Sequence, residues 1–158
     1  MQQQEPSIKE CRQYLGFTIG NEEYGVDILR VREIREWKQV RALPGTPKHV
    51  IGVLDLHGTI VPIVDLRKRF NQATIEYCST TVIIVLAAET GTGQLLFGIV
   101  VDGVSEVLDI ASAEIREPPD LDEEIIARYL NGMVTLNERM VILLDVDRIM
   151  KPEELAAL

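Results

Sequence analysis

Gly52-Val53-Leu54-Asp55-Leu56-His57-Gly58-Thr59-Ile60-Val61-Pro62-Ile63-Val64-Asp65-Leu66 recurs later in the chain as Gly132-Met133-Val134-Thr135-Leu136-Asn137-Glu138-Arg139-Met140-Val141-Ile142-Leu143-Leu144-Asp145-Val146. The leading glycine, Leu56/Leu136, Val61/Val141 and Asp65/Asp145 are identical, at a constant shift of 80 residues, from 52 to 132. Each copy reads as two apolar strands around a tight turn, and in the first copy Gly58 can supply the positive φ such a turn needs. Asp65 is placed to cap a short helical turn running to Phe70. The glycine inside each strand marks a bulge, a sharp bend or a close backbone approach.

A second block repeats ahead of each hairpin. Gly25-Val26-Asp27-Ile28-Leu29-Arg30-Val31-Arg32-Glu33-Ile34 aligns with Gly98-Ile99-Val100-Val101-Asp102-Gly103-Val104-Ser105-Glu106-Val107, at a shift of 73 residues, from 25 to 98. The seven-residue difference falls in a loop, since the connection holding Pro118 and Pro119 is longer than the one holding Pro44 and Pro47. Around these blocks, Tyr14 to Ile19 and Tyr24 to Ile28 read as a hairpin turning at Gly20-Asn21-Glu22. Thr81 to Ala87 is a continuous apolar run, expected of a strand buried on both faces. Gly91-Thr92-Gly93 turns that strand into the next and opens no helix, so it is a hairpin and not a phosphate loop. Strands outnumber helices, and turn signals come at short spacing. The expectation is an all-β fold of two packed barrels. The first barrel spans about 14–70, with possible strand exchange, and the second about 80–146. Residues 1–13 are expected to be a flexible start and 151–158 a helical tail.

Composition narrows the function. The chain has 158 residues, 46% apolar, and a net charge of −9. Such a chain buries a core without staples. The charge disfavours nucleic acid and anionic membrane surfaces as partners. Cys11 and Cys78 are far apart in sequence and lack a C-x-x-C companion, so reduced, buried or incidental thiols are expected. The polar start and the strand-length apolar runs predict a cytoplasmic protein without a bilayer span. No nucleophile elbow, Walker loop or H-E-x-x-H motif occurs. His49 and His57 have no zinc spacing, and paired carboxylates such as Glu22-Glu23 and Glu153-Glu154 read as solvated turns or helix starts. No enzyme, metal or cofactor is expected. Pro62, inside a clean strand, predicts a sheet edge or bulge.

At four ordered places the text resembles the CheW family of chemotaxis coupling proteins. They are Glu22 to Ile34, Ile51 to Arg67, Phe97 to Val107 and Met140 to Val146, within a span of about 14–150. The resemblance implies two SH3-like five-stranded barrels sharing a hydrophobic seam, with short helices at connectors and at the C-terminus. It implies a non-catalytic adaptor linking the cytoplasmic tips of chemoreceptors to the regulatory domain of the histidine kinase CheA, at the membrane-associated receptor array. Carried over by position, the protein-binding surface comprises Val31, Glu33, Ile34, Gly52, His57, Gly58, Val82, Val104 and Val107. The four valines read equally as core, and the two glycines as backbone geometry. The family usually has arginine where this chain has His57, a departure that admits a specialised paralogue for another array or a surface-motility pathway. A β-barrel module for a small ligand is the competing reading from another class.

Overall fold

Both copies of the repeated hairpin fold alike, and their agreement extends to the register. In the computed structural model, which describes residues 11–70, 76–117 and 129–150, β4 (Val50–Leu56) and β5 (Thr59–Asp65) pair with Gly52 opposite Ile63 and a register break between Val50 and Gly52. Eighty residues on, β9 (Leu130–Leu136) and β10 (Arg139–Leu144) place Gly132 opposite Leu143 with the matching break. His57 and Gly58 both have positive φ, 53° and 89°, as do Asn137 and Glu138 in the second turn, which gives both hairpins the twist of a two-residue turn. Asp65 caps the helical turn Leu66–Arg69 by accepting from the Arg67 N–H, and Asp145 caps Val146–Ile149 through the Asp147 N–H.

The other strands are β1 (Cys11–Ile19), β2 (Glu22–Asp27), β3 (Val31–Glu36), β6 (Val82–Thr90), β7 (Gly93–Val101) and β8 (Gly103–Ala111). They form two five-stranded sheets, β8-β1-β2-β10-β9 and β3-β6-β7-β5-β4. Neither sheet follows the halves 14–70 and 80–146. Each takes two strands from one copy and three from the other, so the exchange between copies is reciprocal. Parallel pairing carries it: Ile63 meets Gly98 on β5–β7, and Leu143 meets Gly25 on β10–β2. Each sheet then closes on itself. Arg41 and Val53 exchange backbone hydrogen bonds of 3.1 and 2.9 Å, and Arg116 and Met133 exchange bonds of 2.8 and 2.9 Å. The fold is thus all-β, two closed five-stranded sheets with short helical turns.

Alternation sorts the side chains into three cores. Phe17, Tyr24, Ile84, Leu86, Phe97, Ile99 and Ile142 face the seam between the barrels. Tyr14, Ile110, Val141 and Leu143 fill one barrel, and Val61, Ile63, Ile83, Val85 and Val100 the other. β6 therefore lies between two cores, as its unbroken apolar run predicted. Each fully buried aliphatic or aromatic side chain contributes about 1.5–3 kcal/mol.

Two expectations are corrected. Residues 11–13, assigned to a flexible start, are the first residues of β1 and pair with β8, Cys11 opposite Ala111 and Gln13 opposite Asp109. Pro62 is not at an edge, because β5 lies between β4 and β7. Its partner Val53 spends both backbone groups on Arg41, so the pair makes no ladder bond, and the ladder to β7 begins only at Ile63. Its missing N–H therefore costs no hydrogen bond. Cys11 and Cys78 are both exposed thiols, which fits the reduced or incidental form of the expectation and not the buried one. The loop at Pro118 and Pro119 and the tail 151–158 lie outside the described residues.

Candidate functional site

The nine sequence-nominated residues fall into four places. Val31, Val82 and Val104 are half-buried against the seam core, so they rim the junction of the barrels. Val31 and Val104 are repeat equivalents, one on β3 and one on β8.

Glu33, His57 and Gly58 meet at the tip of the β4–β5 hairpin. Glu33 Oε1 lies 3.4 Å from His57 Nε2, and its Oε2 lies 3.2 Å from Arg35 Nε. The Gly58 N–H donates to Asp55 Oδ1 at 2.9 Å, which fixes the turn. The second barrel repeats this contact with other donors. Glu106, the equivalent of Glu33, lies 3.6 Å from Arg139 Nη2, and Arg139 Nη1 also reaches Glu23 Oε1 at 3.0 Å.

Ile34 and Val107 point outward, 46% and 48% exposed. They are repeat equivalents, and so are Ile60 and Met140, 60% and 56% exposed on β5 and β10. Exposed apolar side chains are ordinary when scattered singly. Here four large ones occupy two equivalent positions in each copy, which makes a duplicated surface.

Gly52 belongs to the frame. A Cβ there would collide with the backbone carbonyl of Arg41, whose strand must pass this close to shut the barrel.

Sequence reading missed a buried polar network beside the seam. The Arg67 side chain, 1% exposed, pairs with Asp65 and reaches Asp102 Oδ1 at 3.4 Å. The Tyr77 hydroxyl donates to Asp65 Oδ2 at 3.0 Å, its ring lies 5.1 Å from the Arg67 guanidinium carbon, and Trp37 stacks on it at 3.8 Å. Burial, then the Asp65 charge, pushes the Tyr77 phenol up to about 12. The signal was the Asp65-Leu66-Arg67 spacing, which puts a cap and a cation on one helical turn; the tyrosine lies ten residues beyond Arg67 and outside that turn.

Among the described residues no group of three or more His, Cys, Asp or Glu is placed to hold a metal ion, and no helix is long and apolar enough to cross a membrane.

Comparison with known proteins adds the following. A family model described as a CheW-like domain matches residues 13–154. The chain is 46% identical over 145 residues to the chemotaxis protein CheW of Klebsiella aerogenes, covering 92% of this chain and 85% of that one. It is 32% identical over 143 residues to the chemotaxis protein CheW of Rhizobium meliloti, 90% of each chain. Protein FrzA of Myxococcus xanthus is 26% identical over 142 residues, 89% of this chain and 86% of its own. The crystal structure of the scaffolding protein TtCheW from Thermoanaerobacter tengcongensis matches with a TM-score of 0.80 and 26% identity, over 90% of both chains.

Proposed function

The chain belongs to the CheW-like domain family, and on that premise we propose that it is a non-catalytic adaptor joining the cytoplasmic tips of chemoreceptors to the regulatory domain of the histidine kinase CheA. It works in the cytoplasm, at the receptor array. The observation that carries this reading is the duplicated exposed surface, Ile34 and Ile60 on one barrel and Val107 and Met140 on the other. Two apolar faces on one small body suit a connector that holds two partners at once. The half-buried rim at Val31, Val82 and Val104 is the surface for the receptor helical hairpin. The outward faces, with the Glu33–His57 tip, are the surface for the kinase barrels.

The test is co-sedimentation with receptor cytoplasmic fragments and CheA, with kinase activity as a second readout. Ile34→Arg and Val107→Arg should lower kinase recovery, and Val31→Met should lower receptor recovery. All three should keep the wild-type thermal midpoint, because none of these side chains is fully buried. A wild-type chain that sediments with neither partner overturns the reading. His57 favours a second reading, an adaptor for another array or a surface-motility pathway, because histidine is shorter than the family's usual arginine and lacks its rigid five-donor fork. His57→Arg then separates the two: retained or stronger binding to a standard CheA supports the first, and a large loss supports the second.

A further inference from the structure

The net charge of −9 is divided unequally between the barrels. Residues 31–101, the stretch that forms β3 to β7, hold eight of the 16 basic residues and six of the 25 acidic ones, a net of +2. The remainder of the chain holds eight basic and 19 acidic residues, a net of −11. Within the described stretches 11–30, 102–117 and 129–150, which form the barrel of β1, β2, β8, β9 and β10, stand 11 acidic residues and five arginines.

The repeat shows that the difference gathers around the exposed apolar positions. Arg32-Glu33-Ile34-Arg35-Glu36 has two charges of each sign, whereas its counterpart 73 residues on, Ser105-Glu106-Val107-Leu108-Asp109, has two carboxylates and no cation. Glu22 and Glu23 open β2, and the matching residues on β7 are Leu95 and Leu96. The turn residues His57 and Gly58 correspond to Asn137 and Glu138. Arg139, beside Met140, is shared between Glu23 Oε1 at 3.0 Å and Glu106 Oε1 at 3.6 Å, so one cation offsets two carboxylates. Asp109 accepts from the Gln13 amide at 3.0 Å, a neutral donor that leaves its charge in place. β2 and β10 run parallel with Glu23 opposite Val141, which sets Glu22 and Glu138 at the same end as Met140. Glu22, Glu23, Glu106, Asp109 and Glu138 against Arg139 give Val107 and Met140 a surround of net −4. With His57 left out, the surround of Ile34 and Ile60 sums to zero.

Charges of one sign around an apolar contact steer oppositely charged surfaces to it and repel surfaces of their own sign. We propose that the Val107–Met140 face docks a protein surface whose apolar contact is flanked by lysine and arginine, whereas the Ile34–Ile60 face docks one without net charge, so the two faces do not exchange partners. A second copy of this chain is not the basic occupant, because its Ile34–Ile60 face brings no excess of cations to the contact. The inference rests on the reading that the outward faces dock proteins, and adds what sorts the partners between them.

The test is an NMR titration of the isotope-labelled full chain with a capped Lys-Leu-Lys-Val-Lys peptide and, separately, with its Glu-Leu-Glu-Val-Glu counterpart. The lysine peptide should shift the amides of Ser105 to Asp109 and of Arg139 to Val141 and leave those of Arg32 to Glu36 in place. The glutamate peptide should not shift the amides of Ser105 to Asp109. Raising salt from about 0.05 to about 0.5 M should weaken the lysine peptide at least about tenfold. Glu106→Gln with Asp109→Asn should weaken it about fivefold and keep the wild-type thermal midpoint, because both side chains are exposed. Equal shifts on both sets of strands, no shift at Ser105 to Asp109, or binding unchanged at the higher salt would overturn the inference. Binding of CheA is a separate readout, and its absence would overturn the adaptor reading alone.

Discussion

The guanidinium of Arg67 lies fork to fork on the carboxylate of Asp65, Nε to Oδ1 and Nη2 to Oδ2 at 3.1 Å each, with both side chains out of contact with solvent. Asp65 also accepts the Arg67 N–H and the Tyr77 hydroxyl. Removing the cation strands a buried carboxylate. Arg67→Met should therefore lower the unfolding free energy in urea by about 3–5 kcal/mol. Arg67→Met combined with Asp65→Leu should recover part of that loss, and only part, because the cap goes with the charge.

Tyr77 should titrate at about 12 in the folded protein, read by difference absorbance of the phenolate. A folded pKa above the unfolded value of 10.0 means that the folded state holds its proton longer. The stability this contributes is complete below about pH 10 and is lost as pH rises toward 12. Tyr77→Phe should flatten the fall in urea midpoint over that window. A phenol titrating near its ordinary value would show that the Trp37 stack does not keep water out.

The equivalent glycines should not be equally replaceable. A Cβ at Gly52 meets the main chain of Arg41, with the carbonyl carbon at 2.8 Å, and main chain cannot step aside without opening the barrel. At Gly132 the first obstacle is the side chain of Ile115, with the Arg116 carbonyl oxygen farther off at 3.3 Å. Gly52→Ala should cost more than Gly132→Ala, by about 1–2 kcal/mol in urea unfolding. Equal costs would mean that the Arg41 strand is not held by its bonds to Val53.

Cys78 should react with a neutral alkylating reagent near neutral pH. The Thr80 hydroxyl, 3.2 Å from its sulfur, and then the Thr81 hydroxyl favour the thiolate and bring the thiol down to about 7. The rate of labelling at Cys78, followed by peptide mass, should rise with a midpoint near that value. Thr80→Ala should move the midpoint upward. An unmoved midpoint would assign the reactivity to exposure alone.

The hairpins at 50–66 and 130–146 were legible because two-residue turns, alternation and capping aspartates all agree within a short window. The double-faced strand β6 was legible because burial on both sides leaves no place for a polar residue. β8 was not named as a strand: Ser105, Glu106 and Val107 are all exposed, and three outward residues in a row erase the period-two signal. β3 was not named as a strand either, because its register breaks between Val31 and Glu33, which resets the alternation. The pairing of β2 with β10 and of β7 with β5 was only hinted at, since period reports which face a residue takes and not which strand lies alongside. In the candidate site, the place of His57 and Gly58 at a hairpin turn was legible, but the contact of His57 with Glu33 from β3, and the pairing of Ile34 with Val107 and of Ile60 with Met140 as exposed positions, were not. Arg67 was missed because an arginine in a helical turn is ordinarily solvated, and its ring partner Tyr77 lies ten residues on.

The reciprocal exchange of strands has a consequence for how the molecule is made. The hairpin β1–β2 is completed by β8, β9 and β10, and the hairpin β6–β7 by β3, β4 and β5. The barrel of β3 to β7 is drawn from one contiguous stretch, 31–101, whereas the other must bring β1 and β2 to β8, β9 and β10 from the far part of the chain, so the two barrels differ in how much sequence must be in place before they close. Each copy alone nevertheless carries the five strands of one barrel. Two separate chains of one copy each could build this same body by trading hairpins.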